Sequence, residues 1–472
     1  MSVASRTISQ TLGAFVSGLD LDRVDAAVRH RAKLLLMDSA GVALASSSLD
    51  FGHMAASALA QVERGASPVI GSAERLTVRD AALVNGMLIH GIDYDDTSIY
   101  GRVHPSSACV PGALALGAHL KASGAQMLAA YIAGLEGAIR LGAVAKGGFQ
   151  KRGFHPSGVI GVFAGTFVAG RLLELDAHQL AMAQGIAYSA AAGNQEFTTE
   201  MAWTKRFHPG WGATAGITAA TLAKGGFTGP STPYEGRFGL YRLYLGEVEG
   251  GHDYALATEG LGERWLLQDI SVKPLAACYF NIPLIDAAAR AARESGFSAD
   301  EVAEIRVLVP EAAINTICEP RAAKKRPVDG YTAQFSAYFA AATGFLTGGF
   351  TLADITPERL ADPRILALAD KVTYEADPAT SFPKHYGGAV MVRTSDGRSV
   401  TVREDIDRGS PLNPLSEADM VEKFLRNAEL VFSPARARQA LDMILDVERL
   451  ADVARLAELL AAPEARRAVA SL

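Results

Sequence analysis

Three His-Pro dipeptides stand out: His104-Pro105, His155-Pro156 and His208-Pro209. With 10 His and 20 Pro in 472 residues, chance gives fewer than one. Each precedes an Ala/Gly-rich stretch with helical spacing. Proline is favoured at the first helical position, where its missing N–H costs nothing, and the N–H groups beyond it form a site for an anion. A histidine just ahead of such a helix can turn its ring into the same space. Small residues behind it (Ser106, Ser107, Ser157, Gly158) leave room for a ligand. Three such helix starts converging would build a carboxylate-binding pocket carrying His104, His155 and His208. Taken singly, each pair is also an ordinary helix entry.

A second signal is His90-Gly91-Ile92-Asp93-Tyr94-Asp95-Asp96-Thr97, which closes another helical pattern. Acids at a helix C-terminus oppose the macrodipole, and a tolerated local cost marks a functional site. Two chemical readings stand beside a plain solvated turn. One is a metal site of carboxylates plus histidine. The other is a general base at Asp93, with Asp95 and Asp96 structural. A magnesium-dependent all-helical lyase would need a second acidic cluster, and none is evident. The third signal is cationic: Lys205 and Arg206 run directly into His208, and Lys273 opens the stretch VKPLAACYF, which holds Cys278. Isolated Lys and Arg are usually solvated. These two stretches lie at boundaries that could face a cleft between domains, where ligand sites are common.

Composition narrows the chemistry. The formal net charge of −6 implies no basic face for nucleic acid. Cys109, Cys278 and Cys318 are far apart and lack CxxC spacing, which fits a reducing compartment and argues against an iron–sulfur cluster. No nucleotide-loop, GxSxG or HExxH motif occurs. The N-terminal stretch lacks a basic segment followed by an apolar run, so a cytoplasmic protein is expected. No apolar run reaches membrane-spanning length without polar interruption; 125–145 contains Glu136 and Arg140.

The elements that must position these residues are mostly helices. Helical spacing runs through 8–19, 22–45, 77–92, 108–122, 124–146, 157–174, 177–192 and 210–225, with short Gly/Pro-punctuated connections. A small strand is expected at 67–70. Gly158, Gly161 and Gly165 recur at helical spacing, which indicates close helix packing. The pattern changes after about 269. Segments 301–309 and 371–375 read as strands, and 388–394 with 399–403 flank a Ser-Asp-Gly-Arg hairpin signal. Helices at 283–295, 331–346 and 357–370 lie between them, and helices return after 416. The expected fold is mainly α: a large all-helical domain from 1–268 and 406–472, with a smaller α+β lid domain inserted at 269–405.

With these stretches in view, the chain resembles the MmgE/PrpD family over nearly its whole length. The resemblance rests on HGIDYDDT, HPSSACVPGALALG, GFHPSGVIGVFAG, TKRFHPG, GFTGP with the following EGRFG, VKPLAAC and AQFSAYFA, in that order. It implies a helical domain with an α+β lid, a homodimer, and no metal or organic cofactor. It implies catalytic positions at Asp93, Thr97, His104, His155, Lys205 and Lys273; Thr97 enters on this ground alone. Arg206, His208, Ser157 and Cys278 would contact a small polycarboxylate substrate. The family dehydrates 2-methylcitrate, decarboxylates cis-aconitate or epimerises iminodisuccinate. Two positions depart from its common pattern: Val103 stands where glycine is frequent, and Ile282 where a histidine often precedes proline. The RFHPG form weighs against the epimerase. A hydro-lyase is the leading expectation and a carboxy-lyase the alternative; a non-catalytic binding protein is disfavoured by the intact polar set.

Overall fold

The computed structural model of the chain describes residues 6–200 and 202–461. Residues 1–5 and 462–472, the latter within the helical stretch expected after 416, lie outside the described residues. The fold is mainly helical with a small α+β portion. It divides into two compact units. Among the described residues, the first comprises 6–91, 95–271 and 417–461, and the second 92–94 and 272–416. The junctions lie three residues beyond 268 and eleven beyond 405, and three residues of the HGIDYDDT stretch count with the second unit.

The helical unit is built on Ala26–Ser47, Val78–Ile89, Ser106–Leu120, Gly124–Val144, Gly161–Leu172, Ala177–Tyr188 and Thr204–Lys224. The strand expected at 67–70 is the short β1, Ser67–Pro68, paired antiparallel with β2, Arg75–Leu76. Gly124–Val144 is, among the described residues, the one helix long and apolar enough to cross a membrane, and the window that qualifies is wholly buried in the protein. Its Glu136 and Arg140 pair at 3.3 Å, and Arg140 also donates to the carbonyls of Glu259 and Arg264. Polar interruption of an apolar helix is thus satisfied internally.

Small residues let three helices approach closely. A Cβ added at Gly212 would stand 2.7 Å from the carbonyl carbon of Gly161, and one at Gly86 2.5 Å from Cα of Gly210. Both are shorter than any tolerated contact, so Thr204–Lys224 touches Gly161–Leu172 and Val78–Ile89 backbone to backbone. The glycine spacing read from the sequence is therefore packing.

One expectation is corrected. His208-Pro209 does not open a helix: Thr204–Lys224 begins five residues before the proline, which lies inside it. Pro209 has no N–H for the carbonyl of Lys205, a cost normally prohibitive in a helix interior. The Gly210 and Gly212 contacts on the same helix supply the packing that offsets it. The other two pairs do stand at helix starts. Pro105 is the N-cap residue of Ser106–Leu120, and Pro156 follows the N-cap His155 of Pro156–Val159.

The second unit carries a four-stranded sheet in the order β4-β3-β5-β6, from β3 Val302–Val309, β4 Val372–Ala376, β5 Gly388–Thr394 and β6 Ser399–Glu404. β3 and β4 are parallel, the other pairs antiparallel, and Gly397 takes φ +91° in the β5–β6 hairpin turn. Alternate residues Ile305, Val307, Val309, Val390 and Val392 face a core shared with helices Ile282–Ser295 and Ala337–Thr347. The long helices expected at 331–346 and 357–370 are each broken in two, by Phe335-Ser336 and by Ala361-Asp362. Ser336 and Asp362 each cap the helix that follows.

Gly212→Ala should cost about 1–3 kcal/mol in urea unfolding, because its methyl meets backbone rather than a side chain that can turn away. Wild-type stability in that variant would show slack between the two helices.

Candidate active site

The helical unit gathers four imidazoles. His90 is the C-cap of Val78–Ile89. His104 precedes Ser106–Leu120, His155 caps Pro156–Val159, and His208 projects from the second turn of Thr204–Lys224. The His90 ring lies stacked on His155 (centroids 5.4 Å, planes 24° apart) and edge-on to His104 at 4.8 Å. Nδ1 of His155 is 3.0 Å from Nδ1 of His208. A hydrogen bond between two ring nitrogens needs one to accept, so this pair cannot be doubly protonated while the bond persists.

Burial pushes the His155 imidazole well below its ordinary value, helped by His90, Lys205, His208 and His104. His208 is pushed down to about 4, again first by burial and then by His90 and Lys205. Both rings are accordingly neutral at pH 7. Lys205, three residues before His208, is on the same helix face and is buried.

The tautomer of His104 follows from its neighbours. Its Nδ1 is 2.8 Å from the carbonyl oxygen of Asp96, which can only accept, so Nδ1 carries the proton. Thr97 Oγ1 lies 3.2 Å from the same nitrogen and Asp95 Oδ2 3.5 Å. In the neutral ring the lone pair is then on Nε2. The backbone N–H of His104 donates to Ser157 Oγ at 3.0 Å, so Ser157 fixes where the ring starts.

The three acids after His90 have separate tasks. Asp95 Oδ2 is 2.7 Å from His90 Nδ1, both side chains without exposure. Asp96 accepts from the Ser106 backbone N–H at 3.3 Å and from its hydroxyl, which also meets Tyr131 Oη at 2.6 Å. Burial raises the Asp96 carboxyl to about 8, and the Ser106 hydroxyl bond pulls against that rise. The start of Ser106–Leu120, expected to await a ligand anion, is therefore filled by the protein's own carboxyl group. Asp93 belongs to the second unit. It adopts φ +51°, tolerated by Asp better than by most residues, and Lys273 Nζ donates to its carbonyl at 2.7 Å and pairs with its carboxylate at 3.0 Å. Gln334 Nε2 ties Ile92 O and Ala276 O together, at 2.6 and 2.9 Å.

Of the expected site residues, the helical unit thus brings together Thr97, His104, His155, Ser157, Lys205 and His208. Arg206 donates from Nε to the Gly91 carbonyl at 2.6 Å with its guanidinium 4.1 Å over the Phe51 ring, bracing the turn after His90. Cys278, in the second unit, is buried, and its N–H donates to Gln334 O at 2.9 Å. His90 and its partner Asp95 were given no catalytic role by sequence reasoning, although both lie in the octapeptide that drew attention to Asp93.

The atoms of His90, Asp95 and His104 lie close enough to invite a cation. Their geometry is that of a hydrogen-bonded relay: the His104 Nδ1 lone pair is replaced by a proton, and His90 and Asp95 are at donor–acceptor distance. Coordination through this trio would require both bonds to be given up.

The MmgE/PrpD N-terminal domain matches residues 10–250 and the MmgE/PrpD C-terminal domain residues 275–449. The chain belongs to the MmgE/PrpD family. Human cis-aconitate decarboxylase is 28% identical over 97% of this chain and 95% of its own length. The cis-aconitate decarboxylase-like protein oryM of Aspergillus oryzae is 26% identical over 97% and 98%. Cis-aconitate decarboxylase of Aspergillus terreus is 25% identical over 98% and 97%. MmgE/PrpD membership and these relatives support a lyase, without dividing loss of water from loss of CO2.

The low imidazole values set a pH dependence for this MmgE/PrpD protein. A histidine that binds protons less readily when folded contributes stability fully above the usual 6.5, and that contribution is lost as pH falls toward the folded value, about 4 for His208. Asp96, raised to about 8, works in reverse: its contribution is complete below the ordinary carboxyl value and is lost as pH rises through 8. In His208→Asn, the loss of unfolding free energy between pH 7 and 4.5 should shrink by about 2 kcal/mol. Parallel urea titrations at the two pH values measure it, and an unchanged difference would remove His208 from the account.

Proposed function

We propose that the chain is a cofactor-independent carboxy-lyase acting on a small unsaturated tricarboxylic acid of the cis-aconitate type. The observation that carries this is the cluster of neutral imidazoles, with Lys205 on the same helix face as His208 and His104 held in one tautomer. The full-length likeness to cis-aconitate decarboxylases favours this reading over the hydro-lyase that the sequence motifs suggested first.

The chemistry needs little more than charge and one proton. The carboxylate on the methylene carbon leaves as CO2. Its bonding pair becomes a new double bond to the central carbon, and the old double bond shifts its electrons to the former vinylic CH. That carbon lies beside a second carboxylate, where negative charge accumulates as an enediolate. A cation on that carboxylate stabilises the charge as it develops, which is the role assigned to Lys205. A ring of the cluster, His104 or His155, takes up a proton from solvent at its unprotonated nitrogen and delivers it to carbon, returning to the neutral form. Thr97 and Asp95 keep His104 oriented. Lys273, with Asp93 as its partner, is assigned to a substrate carboxylate as well, and a homodimer belongs to the same proposal.

The deciding assay is NMR of the products from cis-aconitate and citrate. Itaconate from cis-aconitate is expected; interconversion of citrate and cis-aconitate would replace this reading with the hydro-lyase. His155→Ala and His104→Ala should each lower kcat by roughly 10²–10⁴-fold. Turnover like wild type in either would discard that ring as the proton donor. Lys273→Met should raise KM; an unchanged KM would remove Lys273 from substrate binding.

A further inference from the structure

One phenol in the helical unit has no task in the proposed chemistry. Tyr131, on Gly124–Val144, has no exposed surface, and neither have Ser106 and Asp96. The His104 side chain, by contrast, keeps 17% of its surface open. The three buried residues are out of a substrate's reach, yet they are joined to that ring. Tyr131 Oη lies 2.6 Å from Ser106 Oγ, and the Ser106 hydroxyl and N–H together hold the Asp96 carboxyl. Among the described residues, Ser106 is the hydrogen-bond partner of the Tyr131 hydroxyl. A phenylalanine would fill the same space with no polar atom to satisfy, so packing alone does not account for the hydroxyl.

A glycine brings the phenol into place. A Cβ at Gly134, three residues after Tyr131, would stand 2.8 Å from Sγ of Cys109, itself three residues after Ser106. The two helices therefore approach closely where the phenol meets the serine.

Asp96 reaches His104 through its main chain. Its carbonyl accepts from Nδ1 at 2.8 Å, the bond that leaves the ring's lone pair on Nε2. The His104 backbone is held separately. Its N–H donates to Ser157 Oγ at 3.0 Å, and its carbonyl accepts from Ser107 Oγ at 2.7 Å. With the main chain fixed, the ring can still turn about two side-chain bonds, and the Asp96 carbonyl restrains that turning. The peptide that carries the carbonyl is itself pinned on two sides. Thr97 N–H donates to Ser271 O at 2.9 Å, and the Asp96 side chain is anchored in the Ser106–Tyr131 pair. Without the second anchor the peptide is free to swing about the first.

We propose that Tyr131 is a positioning residue: through Ser106 it anchors the Asp96 side chain and so holds the main-chain carbonyl that orients the His104 ring. Linked buried hydrogen bonds can be worth more than their separate pairs. A proton donor must meet its carbon with little error in distance and angle, so a loosened ring costs rate while substrate binding stays nearly intact. The catalytic consequence rests on the proposed lyase reading; the hold on the ring does not.

Tyr131→Phe removes the hydroxyl and keeps the packing. Ring-nitrogen NMR of the ¹⁵N-labelled full chain, without substrate and with His104 in its neutral form, reads the hold directly. The Nδ1 proton should be protected from solvent exchange in the wild type and should exchange about tenfold faster in the variant. kcat on cis-aconitate should fall about tenfold, with KM within about twofold of wild type. Unchanged exchange in the folded variant overturns the proposal, as does a loss of activity carried by KM. Ser106→Ala cuts the same chain at its middle. Should Tyr131→Phe fail to fold, Ser106→Ala must show the faster exchange, and unchanged exchange there overturns the proposal equally. Where both fold, the double variant should lose no more kcat than Ser106→Ala alone, because both cut one chain; additive losses would place the effect of Tyr131 elsewhere and overturn it. A chain inactive on cis-aconitate that still shows the faster exchange removes the lyase reading and keeps the positioning. An active chain whose ring is unmoved removes the positioning alone.

Discussion

The site depends on how closely helix backbones can approach. Gly86 meets Gly210, Gly161 meets Gly212, and Gly165 meets Gly216, each where a methyl group would collide with main chain. Each contact is a short step along the chain from an imidazole. His90 follows Gly86 by four residues, His155 precedes Gly161 by six, and His208 stands two before Gly210. Bringing these helices into backbone contact brings the rings to stacking and hydrogen-bonding distance. A Cβ at Gly158 would lie 3.0 Å from that of His208 and 2.5 Å from the Ala192 carbonyl, so the floor beneath the His155–His208 pair is closed by the same device. Side chains of ordinary size would push the rings apart, each to its own solvent.

That compression has an electrostatic consequence. Rings removed from water resist protonation, and each lowers its neighbour further. The same desolvation acts in the opposite sense on Asp96, which stays protonated near neutral pH and can serve as donor as well as acceptor. Its occupation of the Ser106 helix start takes the Ser106 backbone N–H out of ligand binding. In the proposed reaction, recognition of a substrate anion by this unit is assigned to Lys205 and the rings. Charges that sit on side chains can be moved or shared during a reaction, unlike fixed backbone donors, which suits the proposed decarboxylation, in which negative charge migrates from one carboxylate to another.

Much of this was legible in the sequence. Helical periodicity located most of the long helices of the first unit but missed Asp50–Val62, and alternation with a Gly-containing turn located the four-stranded sheet. The His-Pro pairs pointed to His104, His155 and His208, which do meet. The start of Thr204–Lys224 was misread because a proline after a histidine looks like a first turn. Only tertiary packing through Gly210 and Gly212 explains why the helix runs through Pro209, and packing partners are not written locally. The breaks at Phe335-Ser336 and Ala361-Asp362 were missed because apolar spacing continues across them. His90 was overlooked for a related reason: its importance comes from stacking on His155, sixty-five residues away, whereas the acids beside it announce themselves by composition.

Those acids show why a single octapeptide carries so much charge. A solvated turn has no need of three carboxyl groups in four residues, and a cation site would require them to converge. Here they diverge. Asp93 takes a left-handed backbone and pairs with Lys273. Asp95 turns to His90, and Asp96 to the Ser106 helix start. Each has its own donor, and each donor comes from a different stretch of chain: Lys273 from the start of the second unit, His90 from the end of one helix, Ser106 from the beginning of another. Within the helical unit the turn is therefore held by His90 and by Ser106, and the carbonyl of Asp96 and hydroxyl of Thr97 that fix the tautomer of His104 are held with it. Replacing Asp95 by its amide would leave the buried His90 mismatched. The cost of acids at a helix C-terminus is thus offset one contact at a time, and the result is a histidine whose lone pair is committed to Nε2.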